Sequence, residues 1–204
     1  MKYLTGEKLN FDWKIVTVTI VSTLLLMVDY YHKIFAQKYW DRTLLYFVIP
    51  LLIILIFFRE NPKEYGFSFG DWKLGLTYTL IGILLMAPVI YYLGHGDETM
   101  KKYYERFLTG LPWTTFLDLF GWEFFFRGWV LFAYARKFGP EALWLHAVPF
   151  ALAHLGKPEV ETLSTIFGGF AFGWVAWRTK SFLYAFLIHW FIGTFIIIVA
   201  SGAI

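Results

Sequence analysis

Four ionisable residues in otherwise apolar segments are the part of this sequence that could do chemistry. Glu123 and Arg127 lie four residues apart in WEFFFRG, while His154 ends the run FALAH and His189 lies in LIHW. One carboxylate and two imidazoles can activate a water molecule by general-base catalysis and can hydrogen-bond a developing oxyanion. These residue types therefore indicate hydrolysis of an amide or an ester.

The same side chains also fit other roles. Glu123, His154 and His189 could ligate zinc as two histidines and a glutamate with a bound water, although the HExxH motif of the zincins is absent. Glu123 and Arg127 share one helix face and could simply neutralise each other while holding two helices together. The sequence contains no GxSxG elbow, no P-loop and no GxGxxG after a strand.

The composition decides which elements must position these residues. Of the 204 residues, 58% are hydrophobic and 16% are charged, whereas about 25% are charged in a typical soluble domain. Apolar runs such as residues 46–58 show no alternation with polar residues, which favours helices over the strands of a membrane barrel. We therefore predict an all-α fold, a polytopic membrane helix bundle of about seven to eight helices.

Hydrophobic runs long enough to span a bilayer divide the chain. The predicted spans cover roughly residues 13–31, 43–58, 73–93, 112–138, 141–155, 161–177 and 181–201, and a short interfacial helix is predicted within 94–110. Gly168, Gly169 and Gly173 form a stripe that allows close helix packing. Residues 1–204 are predicted to form a single membrane-embedded domain, with the motif-bearing core at about 112–204.

The depth of the ionisable residues follows from the helical rise. Glu123 is expected roughly 16 Å from the face where its helix begins, and His189 roughly 12 Å from the opposite face. The fifth span runs back towards the first of these faces and carries His154 into the same half of the membrane. A charge at such depth costs roughly 2.5–3.5 kcal/mol and usually marks a paired or functional group. The three residues are therefore expected to meet.

Asp118 is a further candidate for the site. It shares the helix face of Trp122, so it either borders the same cavity or lies near water at the helix start.

Other features of the sequence limit which partners are expected. The chain has no cysteine, which removes disulfides and thiolate catalysis. Its net charge is only +3, and no basic, aromatic-interleaved patch indicates nucleic acid. The lipid bilayer and a membrane-associated peptide or protein substrate are the expected partners.

The polar residues and their order resemble a known family. Glu123-Phe-Phe-Phe-Arg127-Gly128, Phe150-x-x-x-His154 and His189 in a late helix resemble the CPBP (Abi) family of type II CAAX prenyl endopeptidases and bacteriocin-processing or self-immunity proteins. HLGKP at 154–158 and RTKS at 178–181 agree with it. The resemblance implies the helix-bundle fold of these endopeptidases in a prokaryotic cell membrane.

The resemblance also implies an activity and roles for the residues. An intramembrane endopeptidase would hydrolyse a peptide bond in a membrane-associated or prenylated peptide without a metal cofactor. Glu123 would activate water with the assistance of His154 and His189, and Arg127 would position Glu123. Zinc held by the same ligands is the alternative cofactor.

Two positions depart from the family pattern. Trp122 stands where the family has the first glutamate of EExxxR, the residue that activates water, and Gly193 stands where it has Asn or Asp. Either Glu123 or Asp118 then serves as the base, or the protein is a non-catalytic relative acting in immunity, binding or scaffolding. A transporter, the third alternative, would be favoured by inverted repeats, and the sequence shows none.

Overall fold

The computed structural model describes residues 10–204, which are mostly helical and contain no β-strand. The all-α prediction is confirmed. In chain order the helices are α1 (Trp13–Tyr31), α2 (Lys38–Phe58), α3 (Trp72–Gly96), α4 (Glu98–Tyr104), α5 (113–138), α6 (Ala142–Leu145 and Ala147–Leu152), α7 (Glu159–Thr179) and α8 (Leu183–Ala200). Short 3₁₀ turns cover Pro62–Tyr65, Glu105–Phe107 and Gly139–Glu141.

Within residues 10–204, four helices are long and apolar enough to cross a membrane, namely α1, α2, α3 and α8. Their outward surfaces remain apolar, as Leu80, Leu84 and Leu85 on α3 illustrate, each more than half exposed. Such a surface suits lipid as solvent, so the chain is a membrane protein. The other predicted spans fall short, because α6 is too short and because α5 and α7 are less apolar.

Local signals set the start of two helices where the sequence predicts them. The side chain of Asp12 accepts hydrogen bonds from the backbone N–H groups of Lys14 and Ile15, at 3.1 and 3.3 Å, and caps α1. The hydroxyl of Ser181, the first residue of the last predicted span, accepts a hydrogen bond from the N–H of Leu183 at 3.2 Å. α1 therefore coincides with the predicted span, and α8 begins just after its own cap.

The fifth predicted span differs from the structure. It is broken at His146, and its helical part ends at Leu152, so His154 lies in the turn that follows. Pro149 explains the break, because proline has no N–H to donate to the carbonyl of Leu145 and its ring clashes with that carbonyl. His154 is consequently positioned by a turn rather than by a helix.

Helix α5 lies at the centre of the bundle. All residues from 121 to 130 are buried, and the wide π-helical stretch Phe124–Val130 lies within this segment. Aromatic rings surround it, as in the stacked pair Phe58–Trp129, whose centroids are 5.5 Å apart. Protein rather than lipid thus surrounds Glu123 and Arg127, which is the setting in which a membrane helix tolerates charged residues.

Two of the three glycines in the α7 stripe are needed for packing. A Cβ atom at Gly169 would lie 3.0 Å from the Cβ of Ala147, and one at Gly173 would lie 2.3 Å from Cε1 of His146. A Cβ atom at Gly168 would meet nothing within 4 Å among the described residues. Close approach of α6 therefore explains Gly169 and Gly173, whereas Gly168 faces open space.

Glu60 connects three separate parts of the chain at one end of the bundle. It accepts hydrogen bonds from Lys14 Nζ at 2.5 Å, from the Tyr65 hydroxyl at 2.5 Å and from Arg136 Nη1 at 2.8 Å. Burial raises the pKa of the Glu60 carboxyl, but these three donors outweigh it and lower the pKa from 4.5 to about 2. The charged form is thus the one that the fold favours.

Glu60→Gln is expected to lower the free energy of unfolding by about 1–2 kcal/mol at pH 7, since Glu60 is partly exposed and solvent screens its bonds. Because the folded-state pKa is depressed, the contribution is complete above pH 4.5 and is lost as the pH falls towards 2. Unfolding measured between pH 6 and pH 3 should show a flatter pH dependence in the variant. Glu64→Gln is the control, since Glu64 is exposed and contacts Arg136 only at 3.5 Å. Equal pH profiles for wild type and Glu60→Gln would contradict the assignment.

Candidate active site

Glu123 is the centre of the polar cluster. Its Oε1 accepts a hydrogen bond from Arg127 Nη1 at 3.0 Å and another from His189 Nδ1 at 2.6 Å. The side chains of Glu123 and Arg127 are 0% exposed. The structure therefore brings together the predicted pair on α5 and the predicted histidine on α8 through one carboxylate oxygen.

His154 reaches the same cluster from the turn after α6. Its Nδ1 donates to the carbonyl oxygen of Phe150 at 2.8 Å, and its ring lies 6.5 Å from that of His189, with the two planes 25° apart. Each ring thus uses Nδ1 to bond to the protein. Neither Nε2 has a hydrogen-bond partner among residues 10–204. In the neutral tautomer that these bonds imply, each Nε2 carries a free lone pair.

Two phenylalanines enclose the ion pair. The guanidinium carbon of Arg127 lies 3.9 Å from the ring centroid of Phe150 and 5.1 Å from that of Phe172, within the range of a cation–π interaction. Phe172 also stacks on His189 at 5.2 Å. Phe150 belongs to the Phe150-x-x-x-His154 motif of the sequence, whereas Phe172 belongs to no motif, because a phenylalanine in an apolar helix carries no signal of its own.

Trp122 and Asp118 belong to a neighbouring cluster built on Arg42. The Trp122 ring lies edge-on to His154 at 5.5 Å, and the guanidinium carbon of Arg42 lies 4.5 Å from the Trp122 ring centroid. Asp118 Oδ2 accepts a hydrogen bond from Arg42 Nη1 at 2.5 Å. Asp118 is therefore paired with Arg42, one turn from Trp122, rather than with Glu123.

Gly193 places the backbone of α8 close to α5. A Cβ atom there would lie 2.9 Å from Cδ1 of Leu119. The Asn or Asp that the family pattern has at this position would require the end of the Leu119 side chain to move. Position 193, one turn beyond His189, thus supplies no polar side chain to the cluster.

Several buried polar atoms around the cluster have no hydrogen-bond partner among residues 10–204. They are Glu123 Oε2, Arg127 Nε and Nη2, Trp122 Nε1 and His146 Nε2. Buried groups of this kind are usually satisfied by water or by a ligand. The cluster therefore offers both donors and acceptors to a bound water and to a polar group such as a peptide carbonyl.

The geometry does not present a three-ligand metal site. Among residues 10–204 no three His, Asp or Glu side chains lie close enough together to hold a metal ion. Glu123 Oε1 instead bonds to Arg127 and His189. Zinc held by Glu123, His154 and His189 stays a prediction, which metal analysis and chelation would test.

Fold and site together define an all-helical membrane protein with a Glu–Arg–His cluster buried between its helices. Residues 104–195 match the family model described as type II CAAX prenyl endopeptidase Rce1-like. The resemblance predicted from the sequence is confirmed over this segment, which contains Glu123, Arg127, His154 and His189. No curated protein and no solved structure matches the chain.

Proposed function

We propose that the protein is an intramembrane endopeptidase of the CAAX-protease type, which hydrolyses a peptide bond in a membrane-associated or prenylated peptide. The contact between Glu123 Oε1 and His189 Nδ1, at 2.6 Å, carries this proposal. It fixes the imidazole so that Nε2 is free to take a proton, and the ring of His154 faces it. A carboxylate that orients a histidine is a recurrent way to make a general base.

In this mechanism Glu123 and His189 act together to activate water. His189 Nε2 takes a proton from the water as its oxygen forms a bond to the peptide carbonyl carbon, and Glu123 stabilises the imidazolium. His154 Nε2 accepts the other hydrogen of the water and so orients it. The unpaired N–H groups of Arg127 can donate to the oxyanion. His189 then returns the proton to the amine nitrogen as the C–N bond breaks.

Cleavage of peptides by the reconstituted protein tests this proposal. A library of membrane-embedded and prenylated peptides should yield substrates, and Glu123→Gln and His189→Ala should each lower the cleavage rate on the order of 10²-fold. The matched controls are His95→Ala and Glu98→Gln, which change exposed residues outside the cluster. Cleavage that persists in both Glu123→Ala and His154→Ala would overturn the site. Insensitivity to chelators is expected, because the mechanism uses no metal.

A non-catalytic relative is the second candidate, and one observation favours it. Trp122 occupies the position of the family's water-activating glutamate, and its ring packs between Arg42 and His154. An apolar ring there would leave a site that can hold a peptide without cleaving it. Stable capture of a peptide that wild-type protein does not cleave, lost in His154→Ala, would support this candidate over the first.

We also propose that the protein spans the membrane several times as a single domain in a prokaryotic cell. The four helices with sufficient length and apolarity support several passes. The central position of α5, whose residues 121–130 are buried by the surrounding helices, supports a single domain. The resemblance to bacteriocin-processing proteins supports a prokaryotic membrane.

A further inference from the structure

An apolar groove of about 600 Å³ opens on the side of the bundle between α3, α5 and α8. Its lining includes Trp72, Leu76, Phe116, Phe120, Phe186 and Leu187. Trp72 and Leu76 are 54% and 50% exposed, so the groove is open on the α3 side. The hydroxyl of Tyr184, which also lines it, is already bonded to the carbonyl oxygen of Phe69 at 2.7 Å. The groove therefore provides an apolar surface that suits a hydrocarbon chain. It provides few free hydrogen-bonding groups for a peptide backbone.

Three cations belong to the segments that adjoin Trp72 and Leu183 of the groove. Lys73, Arg178 and Lys180 are exposed, and none forms an ion pair with any described residue. Each lies over a tryptophan ring: Lys73 over Trp72 at 5.7 Å, Arg178 over Trp174 at 5.4 Å and Lys180 over Trp177 at 5.1 Å. Tryptophan with lysine or arginine is typical of the membrane–water interface.

Hydrogen bonds join the segments that carry these three cations. The N–H of Asp71 donates to the carbonyl oxygen of Thr179 at 2.8 Å, and the hydroxyl of Ser68 donates to the carbonyl oxygen of Lys180 at 3.2 Å. The start of α3 and the end of α7 are thereby joined. Asp71 is the acid in this segment, and its Oδ1 accepts a hydrogen bond from the N–H of Leu74 as the cap of α3. Cations outnumber it three to one.

We propose that an anionic glycerophospholipid binds here, with its headgroup phosphate at Lys73, Arg178 and Lys180 and one acyl chain in the groove. Charge complementarity selects the headgroup, since each basic residue near the surface favours anionic lipid. The almost entirely apolar lining favours an acyl chain, because a groove within the membrane that bound a peptide would have to satisfy the N–H and C=O groups of that peptide. This site is separate from the Glu123 cluster and does not depend on the proposed peptidase activity.

Photo-crosslinking in nanodiscs tests the proposal on the full chain. Phosphatidylglycerol with a diazirine in one acyl chain is compared with phosphatidylcholine that carries the same chain, and labelled peptides are identified by mass spectrometry. Phosphatidylglycerol should label residues 69–76 and 183–187 preferentially. Lys73→Gln, Arg178→Gln and Lys180→Gln should each lower that labelling about fivefold. Lys102→Gln, an exposed lysine on α4, is the matched control and should change nothing.

A second variant tests the contribution of the groove to lipid binding independently of the three cations. Leu187→Trp fills the groove and should abolish labelling at 183–187 while the three cations stay in place. Equal labelling by the two lipids, or labelling that survives removal of all three cations, would overturn the proposal. Crosslinks through the groove from one protein chain to another would overturn it too, because they would identify a second copy as the occupant.

Discussion

Replacing Arg127 with methionine is expected to lower the free energy of unfolding by about 3–5 kcal/mol, the usual cost of removing one partner of a buried ion pair. Arg127 and Glu123 are 0% exposed and 3.0 Å apart, so the variant leaves a carboxylate buried without its guanidinium. The cation–π contact with Phe150 at 3.9 Å is lost as well. Unfolding in mixed detergent micelles, followed by tryptophan fluorescence, measures the change.

The double variant Glu123→Gln with Arg127→Met distinguishes the effect of charge on stability from the effect of side-chain shape. It removes both charges, and much of the lost stability should return, because a buried pair replaced by neutral groups of similar size is often close to neutral. Lys101→Met, which breaks the exposed pair with Glu98 at 2.8 Å, should cost less than about 1 kcal/mol. A loss below 1 kcal/mol for Arg127→Met would show that the buried pair does not stabilise the bundle.

The same double variant also distinguishes between the two roles that the sequence leaves open for the Glu123–Arg127 pair. If the pair only holds helices together, the double variant should fold and retain any cleavage activity. If Glu123 orients His189 through the 2.6 Å contact, the double variant should fold and lose cleavage. Stability and activity then respond differently to the same substitution, and the proposed mechanism requires that difference.

The extent of the helices was largely predictable because two strong signals coincide in them. Apolar runs of sufficient length mark the spans, and side-chain caps mark their starts, so α1 coincides with the predicted 13–31. The break in α6 was not predicted, because it lies inside a continuous apolar run and hydropathy does not reveal it. Pro149 removes a hydrogen bond within an otherwise continuous hydrophobic segment.

The cluster itself was only partly predictable. The Glu123–Arg127 contact follows from their spacing of four residues on one helix, and depth alone suggested that His189 would come near. Which atoms meet does not follow from the sequence. The π-helical stretch Phe124–Val130 has an extra residue in its turn and rotates the following face by about 100°. Helix-wheel reasoning therefore fails beyond it.

The contacts of Arg42 were likewise not predictable from the sequence. It lies at the start of α2, far from α5 in sequence, and no periodicity links it to Asp118 or Trp122. The contact at 2.5 Å with Asp118 and the stacking at 4.5 Å over Trp122 arise from tertiary packing. A close approach of the two backbones makes it possible, since a Cβ atom at Gly121 would lie 2.9 Å from the carbonyl oxygen of Arg42.

Trp122→Glu is expected to raise the peptide cleavage rate on the order of 10³-fold, because it places a carboxylate beside His154 where the family has its water-activating glutamate. The Trp122 ring lies 5.5 Å from that of His154, so a glutamate at this position can share a water with Nε2. Arg42, 4.5 Å from the ring centroid, supplies a countercharge. An added general base contributes typically about 10²–10⁴-fold.

Trp122→Gln is the matched control, since glutamine opens the same space and keeps a polar side chain but cannot take a proton. A gain in Trp122→Glu that Trp122→Gln lacks would identify the carboxylate as the cause, and loss of that gain in a Trp122→Glu, His154→Ala double variant would locate the water at His154. Equal rates for both substitutions, with folding intact, would contradict the prediction. Any cleavage would then depend on Glu123, His189 and His154, and a carboxylate at position 122 would have no part in it.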